Sequence, residues 1–139
     1  MAELDLNQKQ RLFLDLVIYG LTRTEQLDQQ GSSISKSIET IDELPSTHPL
    51  CIYLGGEGGT GKSVAIKAVE LLMDKLHKGG ALQLCATTGS AADNIGGTTY
   101  HSALNVTWGG GQGFKPSSSQ LAKWQDKSIL IVDEISMLS

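Results

Sequence analysis

The chain is 139 residues long, which is enough for about one domain. Hydrophobic residues make up 40% of it and charged residues 19%, a balance that excludes a mainly disordered chain. The net charge of −4 excludes a polybasic nucleic-acid binder but leaves open a groove that contacts nucleic acid locally. The first residues lack the pattern of a secretory signal, and the apolar run at 12–21 is too short to cross a membrane. We therefore expect an intracellular, soluble protein with no membrane partner.

The first segment, residues 1–21, is predicted to hold a helix over 7–20. Asn7 is a residue type that caps a first turn, and Gly20 is suited to the end of a helix. The following stretch, 22–49, is polar and rich in turn-forming residues, so we interpret it as a linker or an insertion.

The remainder, residues 50–139, alternates between short apolar runs and segments of helical periodicity. This order predicts an α/β fold with a parallel sheet. The predicted strands cover 50–54, 81–87 and 128–132, and the predicted helices cover 61–77, 90–95 and 120–126. We expect glycines 79 and 80 to close the first of these helices, and Ser118 or Ser119 to cap the last.

The two cysteines, Cys51 and Cys85, stand alone, with no second cysteine or histidine at ligand spacing. A metal cluster or a disulfide framework is therefore not expected. Because each cysteine lies in an apolar run, we predict two reduced, buried thiols.

A glycine-rich loop at 56–63, GEGGTGKS, fits the pattern G-x-x-x-x-G-K-[ST] between a predicted strand and a predicted helix. Glycines let successive backbone N–H groups point at phosphate oxygens, and the start of the helix lies behind them. Lys62 would reach the β- and γ-phosphates, and the Ser63 hydroxyl would bind Mg²⁺. The alternative is a flexible glycine turn with a solvated lysine, and the flanking strand and helix favour the nucleotide. The other loop residues assigned to the nucleotide are Gly56, Gly58, Gly59, Thr60 and Gly61.

An acidic pair, Asp133 and Glu134, follows the last predicted strand. Open α/β sheets bind ligands beyond the carboxyl ends of their strands. There an aspartate can hold Mg²⁺, and a glutamate can orient or activate the attacking water. The pair alone favours a solvated strand end, but together with the phosphate loop the catalytic interpretation is favoured. A GTPase is disfavoured, because Ser136 stands where that class usually has glycine.

Hydroxyl-bearing residues and glycines follow the second predicted strand, in ATTGSAA and then GGTTYHS. Hydroxyls and exposed N–H groups in such a turn can contact a sugar-phosphate backbone without net positive charge. The residue types also suit an ordinary capped turn, which composition alone favours.

Three segments together resemble a known family. GGEGGTGKS, ATTGSAADNIGGTTYHSAL and ILIVDEISML are similar to motifs I, Ia and II of the PIF-type DNA helicases, in the 5′-to-3′ branch of superfamily one. The N-terminal LNQKQ resembles the Q motif of the same family. The resemblance implies a RecA-like P-loop domain that uses ATP and Mg²⁺ and follows single-stranded DNA.

The resemblance also carries roles onto individual residues. It implies that Gln10 reads adenine, that Lys62 and Glu134 are catalytic, and that Ser63 and Asp133 bind the metal. The DNA-facing residues that it implies are Thr88, Gly89, Thr98 and His101.

The later motifs of the family, among them the arginine of a second RecA-like domain, are absent from this sequence. In the family a further strand lies between the phosphate-loop strand and the Asp-Glu strand, so we expect an incomplete sheet. We expect the N-terminal piece of a monomeric, ATP-dependent 5′-to-3′ DNA helicase, the piece alone being inactive. Family roles in repair, recombination and telomere maintenance imply the nucleus, or alternatively the mitochondrion. The other hypotheses are a non-enzymatic nucleotide-binding remnant and a different P-loop ATPase of the AAA+ type.

Overall fold

The computed structural model describes residues 5–31, 50–56, 61–105 and 116–137. The chain forms two compact units, 1–65 and 66–139. The helices are α1 (Gln8–Gly31), α2 (Lys62–Lys75), α3 (Gly89–Asn94), α4 (Tyr100–Leu104) and α5 (Ser118–Gln125). The strands are β1 (Leu82–Ala86), β2 (Thr98–Thr99) and β3 (Ile129–Asp133), and short 3-10 turns cover Gly79–Ala81 and Ile135–Met137.

A reciprocal pair of hydrogen bonds starts α1. The Gln10 backbone N–H donates to Asn7 Oδ1 at 3.0 Å, and the Asn7 backbone N–H donates to Gln10 Oε1 at 2.9 Å. This capping box satisfies two backbone donors at the helix start. The predicted cap at Asn7 is therefore confirmed.

The predicted end of α1 at Gly20 is wrong, because the helix continues to Gly31. The first ten residues of the predicted linker 22–49 are thus helical, and 32–49 lie outside the described residues. A Cβ at residue 20 would lie 2.9 Å from Leu50 Cδ2. The Leu50 side chain thus lies close to the helix at Gly20 within the first unit, and the helix tolerates the glycine at a cost of about 1 kcal/mol.

The predicted strand at 50–54 is also wrong, since residues 50–56 form neither helix nor strand. The first unit has no strand among its described residues, and an apolar run forms a strand only beside a partner strand. Tyr53 is 80% exposed, and the Cys51 side chain is exposed as well, which contradicts the predicted burial of that thiol.

The sheet of the second unit has three parallel strands in the order β2-β1-β3. Residues 82–86 of β1 pair in order with 129–133 of β3, whereas β2 pairs only with Cys85 and Ala86. Among the described residues β3 has no neighbour on its other side. The strands predicted at 81–87 and 128–132 are confirmed within one residue at each end, while β2 and α4 were not expected.

A hydrophobic cluster of the second unit lies on one face of β1. Leu84 and Ala86 are buried against α3, and Ile66 of α2 belongs to the same cluster. Alternate residues of a strand share a face, so Cys85 points to the opposite face, where it is fully buried. The other members of the cluster are Ala91, Ala92 and Ile95, with Leu82 and Ile131 packed against them.

Local hydrogen bonds set the ends of two further helices. His77, with φ of 56°, adopts the left-handed conformation after α2, and the Lys78 N–H donates to Met73 O at 2.8 Å. This closing motif precedes the glycines expected to end the helix. In α5 the cap is Ser117, one residue before those predicted, and it forms a capping box with Gln120. Its 2.6 Å bond from Ser117 N–H to Gln120 Oε1 fixes the start of the helix.

No helix within the described ranges is long and apolar enough to span a membrane.

The unequal exposure of the cysteines leads to a test. Cys51 is exposed, whereas burial raises the pKa of the Cys85 thiol. Because the thiolate is the reactive species, we expect one thiol per native chain to react rapidly with a disulfide reagent at pH 8, and the second only after denaturation. Replacing Cys51→Ser should remove the rapid reaction. If Cys85→Ser removed it instead, the assigned burial would be contradicted.

Candidate active site

The described part of the phosphate loop consists of Gly56 and residues 61–63, and 57–60 lie outside the described residues. The Lys62 side chain is half-buried, and its Nζ donates to Gly56 O at 2.5 Å. The first N–H groups of α2 have no partners within the helix and form the positive end of its dipole. An ammonium group and a helix N-terminus at one loop suit a polyphosphate. The predicted contributions of Gly58, Gly59 and Thr60 stay predictions.

Gln10 is connected to this loop by its side-chain amide. Gln10 Nε2 donates to Gly61 O at 3.0 Å, while Oε1 takes part in the capping box of α1. Gly61 has φ of +90°, and a Cβ on it would collide with Gln10 Nε2. A side chain at 61 would therefore be both strained and obstructed. The adenine contact implied for Gln10 stays a prediction. Its role in the capping box was not predicted, although the spacing Asn-x-x-Gln was an available signal for it.

Within the second unit, the carboxyl ends of all three strands meet at one edge of the sheet. Ala86 pairs with Thr99 on one side and with Asp133 on the other. Residues that follow these three therefore lie at the same edge. The structure thus brings the predicted acidic pair and the two hydroxyl-rich turns to one side of the unit.

The acidic pair has a defined backbone geometry. Asp133 is half-buried at the end of β3, and its Oδ1 accepts from the Glu134 N–H at 2.9 Å. Glu134 is exposed and has φ of 56°, in the left-handed region that residues other than glycine seldom adopt. Such conformations concentrate at functional sites, and the surrounding structure must hold them.

A hydrogen bond from Thr87 reaches this pair and was not foreseen from the sequence. Thr87 Oγ1 donates to Glu134 O at 3.0 Å, across 47 positions of the chain. The sequence shows only that a hydroxyl residue directly follows β1. Its partner could be predicted only if the register of β1 with β3 were already known.

The residues predicted to face DNA lie in the turns after β1 and around β2. Thr88 caps α3, accepting from the Ala91 N–H at 3.2 Å, and Gly89 is exposed at the start of that helix. Thr98 is exposed on β2, and His101 is half-buried in α4 with its ring 3.9 Å from that of Tyr100. The turn after β1 is thus a capped helix start, as its composition alone favours, and the contact of these residues with DNA stays a prediction.

Each of the two predicted metal ligands, taken within its own unit, carries an oxygen that suits Mg²⁺. Ser63 offers an exposed hydroxyl, and Asp133 offers a carboxylate at a strand end. Hydroxyl and carboxylate oxygens are the hard ligands that Mg²⁺ prefers, usually alongside phosphate oxygens and water.

These features define a class of protein. A phosphate loop that leads into a helix, and a parallel sheet with an acidic pair after one strand, are typical of RecA-like P-loop ATPases. The family model described as PIF1-like helicase matches residues 26–139. The chain therefore belongs to the PIF1-like helicase family.

Individual relatives agree with this assignment. The chain is 34% identical over 111 residues to "ATP-dependent DNA helicase PIF1" of Saccharomyces cerevisiae (strain YJM789), covering 76% of the chain and 13% of the relative. It is 40% identical over 96 residues to the protein of that name from Candida albicans, a match that covers 63% of the chain and 10% of the relative. It is 36% identical over 93 residues to "ATP-dependent DNA helicase RRM3" of S. cerevisiae (strain S288c), a match that covers 63% of the chain and 13% of the relative. The chain spans about a tenth of these relatives, and no solved structure matches it.

The double engagement of Gln10 leads to a stability prediction. Gln10→Ala removes the side chain that bonds both Asn7 and Gly61, so we expect the free energy of unfolding to fall by about 1–2 kcal/mol. Chemical denaturation followed by circular dichroism measures this change. Gln8→Ala, an exposed position in the same turn, is the matched control and should change stability little. Equal losses in the two variants would contradict the assigned role.

Proposed function

We propose that the complete protein is an ATP-dependent DNA helicase and that this chain carries part of its ATP-binding domain. The observation that carries the proposal is the family match over 26–139, which includes the phosphate loop and the acidic pair. The Lys62–Gly56 hydrogen bond supports it, because it places an ammonium group at the loop. The TTG and HS segments distinguish the chain from AAA+ proteins.

The residues have separate tasks in this proposal. Lys62 binds the β- and γ-phosphates and stabilises the charge that develops on the transferred group. Gln10 contacts the adenine and sets the specificity for ATP. Ser63 and Asp133 would hold Mg²⁺, which would neutralise charge on the phosphates when bound. Glu134 orients the attacking water and accepts its proton.

Single-stranded DNA is the proposed track. Thr88, Gly89, Thr98 and His101 would contact its sugar-phosphate backbone through hydroxyls, an imidazole and backbone N–H groups. Contacts of this kind need no basic surface, which agrees with the net charge of −4. We further propose movement from 5′ to 3′ by a monomer, acting in repair, recombination or telomere maintenance. The proposed location is the nucleus, with the mitochondrion as the alternative.

Replacement of the loop lysine tests the proposal in the full-length protein. We expect Lys62→Ala to reduce ATP hydrolysis stimulated by single-stranded DNA by about 10²-fold or more, since a preorganised charge at the phosphates is lost. Phosphate release measured with and without DNA gives this ratio. Unwinding of duplexes with a 5′ or a 3′ single-stranded tail gives the direction of movement.

The control is Lys67→Ala on the same helix, where Lys67 Nζ forms an exposed ion pair with Glu70 at 3.0 Å. A surface pair of this type contributes little, so hydrolysis should stay near the wild-type rate. Retained DNA-stimulated hydrolysis in Lys62→Ala would overturn the assignment of the loop.

A further inference from the structure

The carbonyl of Glu134 accepts two hydrogen bonds. Thr87 Oγ1 donates at 3.0 Å, and the Met137 N–H donates at 3.0 Å from within the following 3-10 turn. The Glu134 N–H in turn donates to Asp133 Oδ1. Two of these bonds are local, so Thr87 is the anchor that connects residue 134 to a different strand end.

The Glu134 side chain, in contrast to its backbone, makes no hydrogen bond among the described residues. It is also exposed. The fixed part of Glu134 is therefore its backbone, which sets the direction of the Cα–Cβ bond and so the region that the carboxylate can reach. That backbone is in the left-handed region, which costs about 1–3 kcal/mol for a residue with a side chain and persists only where neighbours hold it.

We propose that Thr87 is a positioning residue for Glu134. Its hydroxyl holds the Glu134 carbonyl and so keeps the carboxylate aimed at the attacking water. The inference rests on the proposed function and adds a residue to it. Thr87 lies one position before Thr88, so the same turn carries the anchor and a predicted DNA contact.

Thr87→Val is the informative variant, tested in the full-length protein. Valine keeps the β-branched shape, and the Glu134 carbonyl still accepts from Met137, so no buried group is left unpaired. We expect kcat for DNA-stimulated ATP hydrolysis to fall about five- to tenfold, the effect of losing one hydrogen bond in the catalytic arrangement. The KM for ATP and the Kd for single-stranded DNA should stay within about twofold, because the hydroxyl does not contact either ligand in this proposal.

Two further variants separate positioning from a general effect on the fold. Thr87→Ser keeps the hydroxyl and should retain kcat within about twofold of wild type. Thr22→Val removes a hydroxyl-to-carbonyl bond of the same length, 3.0 Å from Thr22 Oγ1 to Ile18 O, on an exposed turn of α1. It should leave kcat unchanged.

The outcomes distinguish the two proposals. Wild-type kcat in Thr87→Val, or an equal loss in Thr87→Val and Thr87→Ser, would overturn the role of the hydroxyl while the helicase proposal stands. A parallel rise in KM for ATP would overturn it as well, because binding and not positioning would be impaired. Absence of DNA-stimulated hydrolysis in the wild-type protein would overturn the proposed function, and this inference with it.

Discussion

The parallel pairing of β1 with β3 is the constraint on which the second unit depends. Five consecutive residue pairs fix the register, and the last of them places Ala86 beside Asp133. A shift by one residue would move the apolar side chains of a strand to the other face and carry the acidic pair away from Thr87. The burial of Leu84 and Ala86 opposes such a shift, so packing in the core also determines the geometry at the sheet edge.

Much of this fold could be predicted from local sequence. The strands β1 and β3 are apolar runs bounded by glycine or polar residues, and α2 follows the phosphate loop. The spacing of apolar residues and the turn-forming residues at the boundaries therefore indicate all three elements. The wrong predictions concern positions where tertiary contacts determine the secondary structure. Gly20 has the residue type of a helix end, but α1 continues past it to Gly31. The run at 50–54 has the composition of a strand, yet a strand forms only beside a partner.

The residues of the candidate site also differ in whether local sequence could predict them. Lys62, Ser63 and the acidic pair could be predicted as site residues because their spacing along the chain is itself the signal. The hydrogen bond from Thr87 to Glu134 could not be identified, because its partners are 47 positions apart and meet only through the register of the sheet. Gln10 lies between these cases, since its capping role was visible locally and its bond to Gly61 was not.

The left-handed backbone of Glu134 also bears on how this position can vary. Glycine adopts that conformation without strain, so a glycine there would relieve the backbone and stabilise the fold. It would also remove the carboxylate. Under the proposed function, selection for folding and selection for catalysis oppose each other at this residue, a trade-off between stability and activity. In a copy of the complete protein released from the ATP hydrolysis proposed for it, position 134 is among the first where we would expect the sequence to drift.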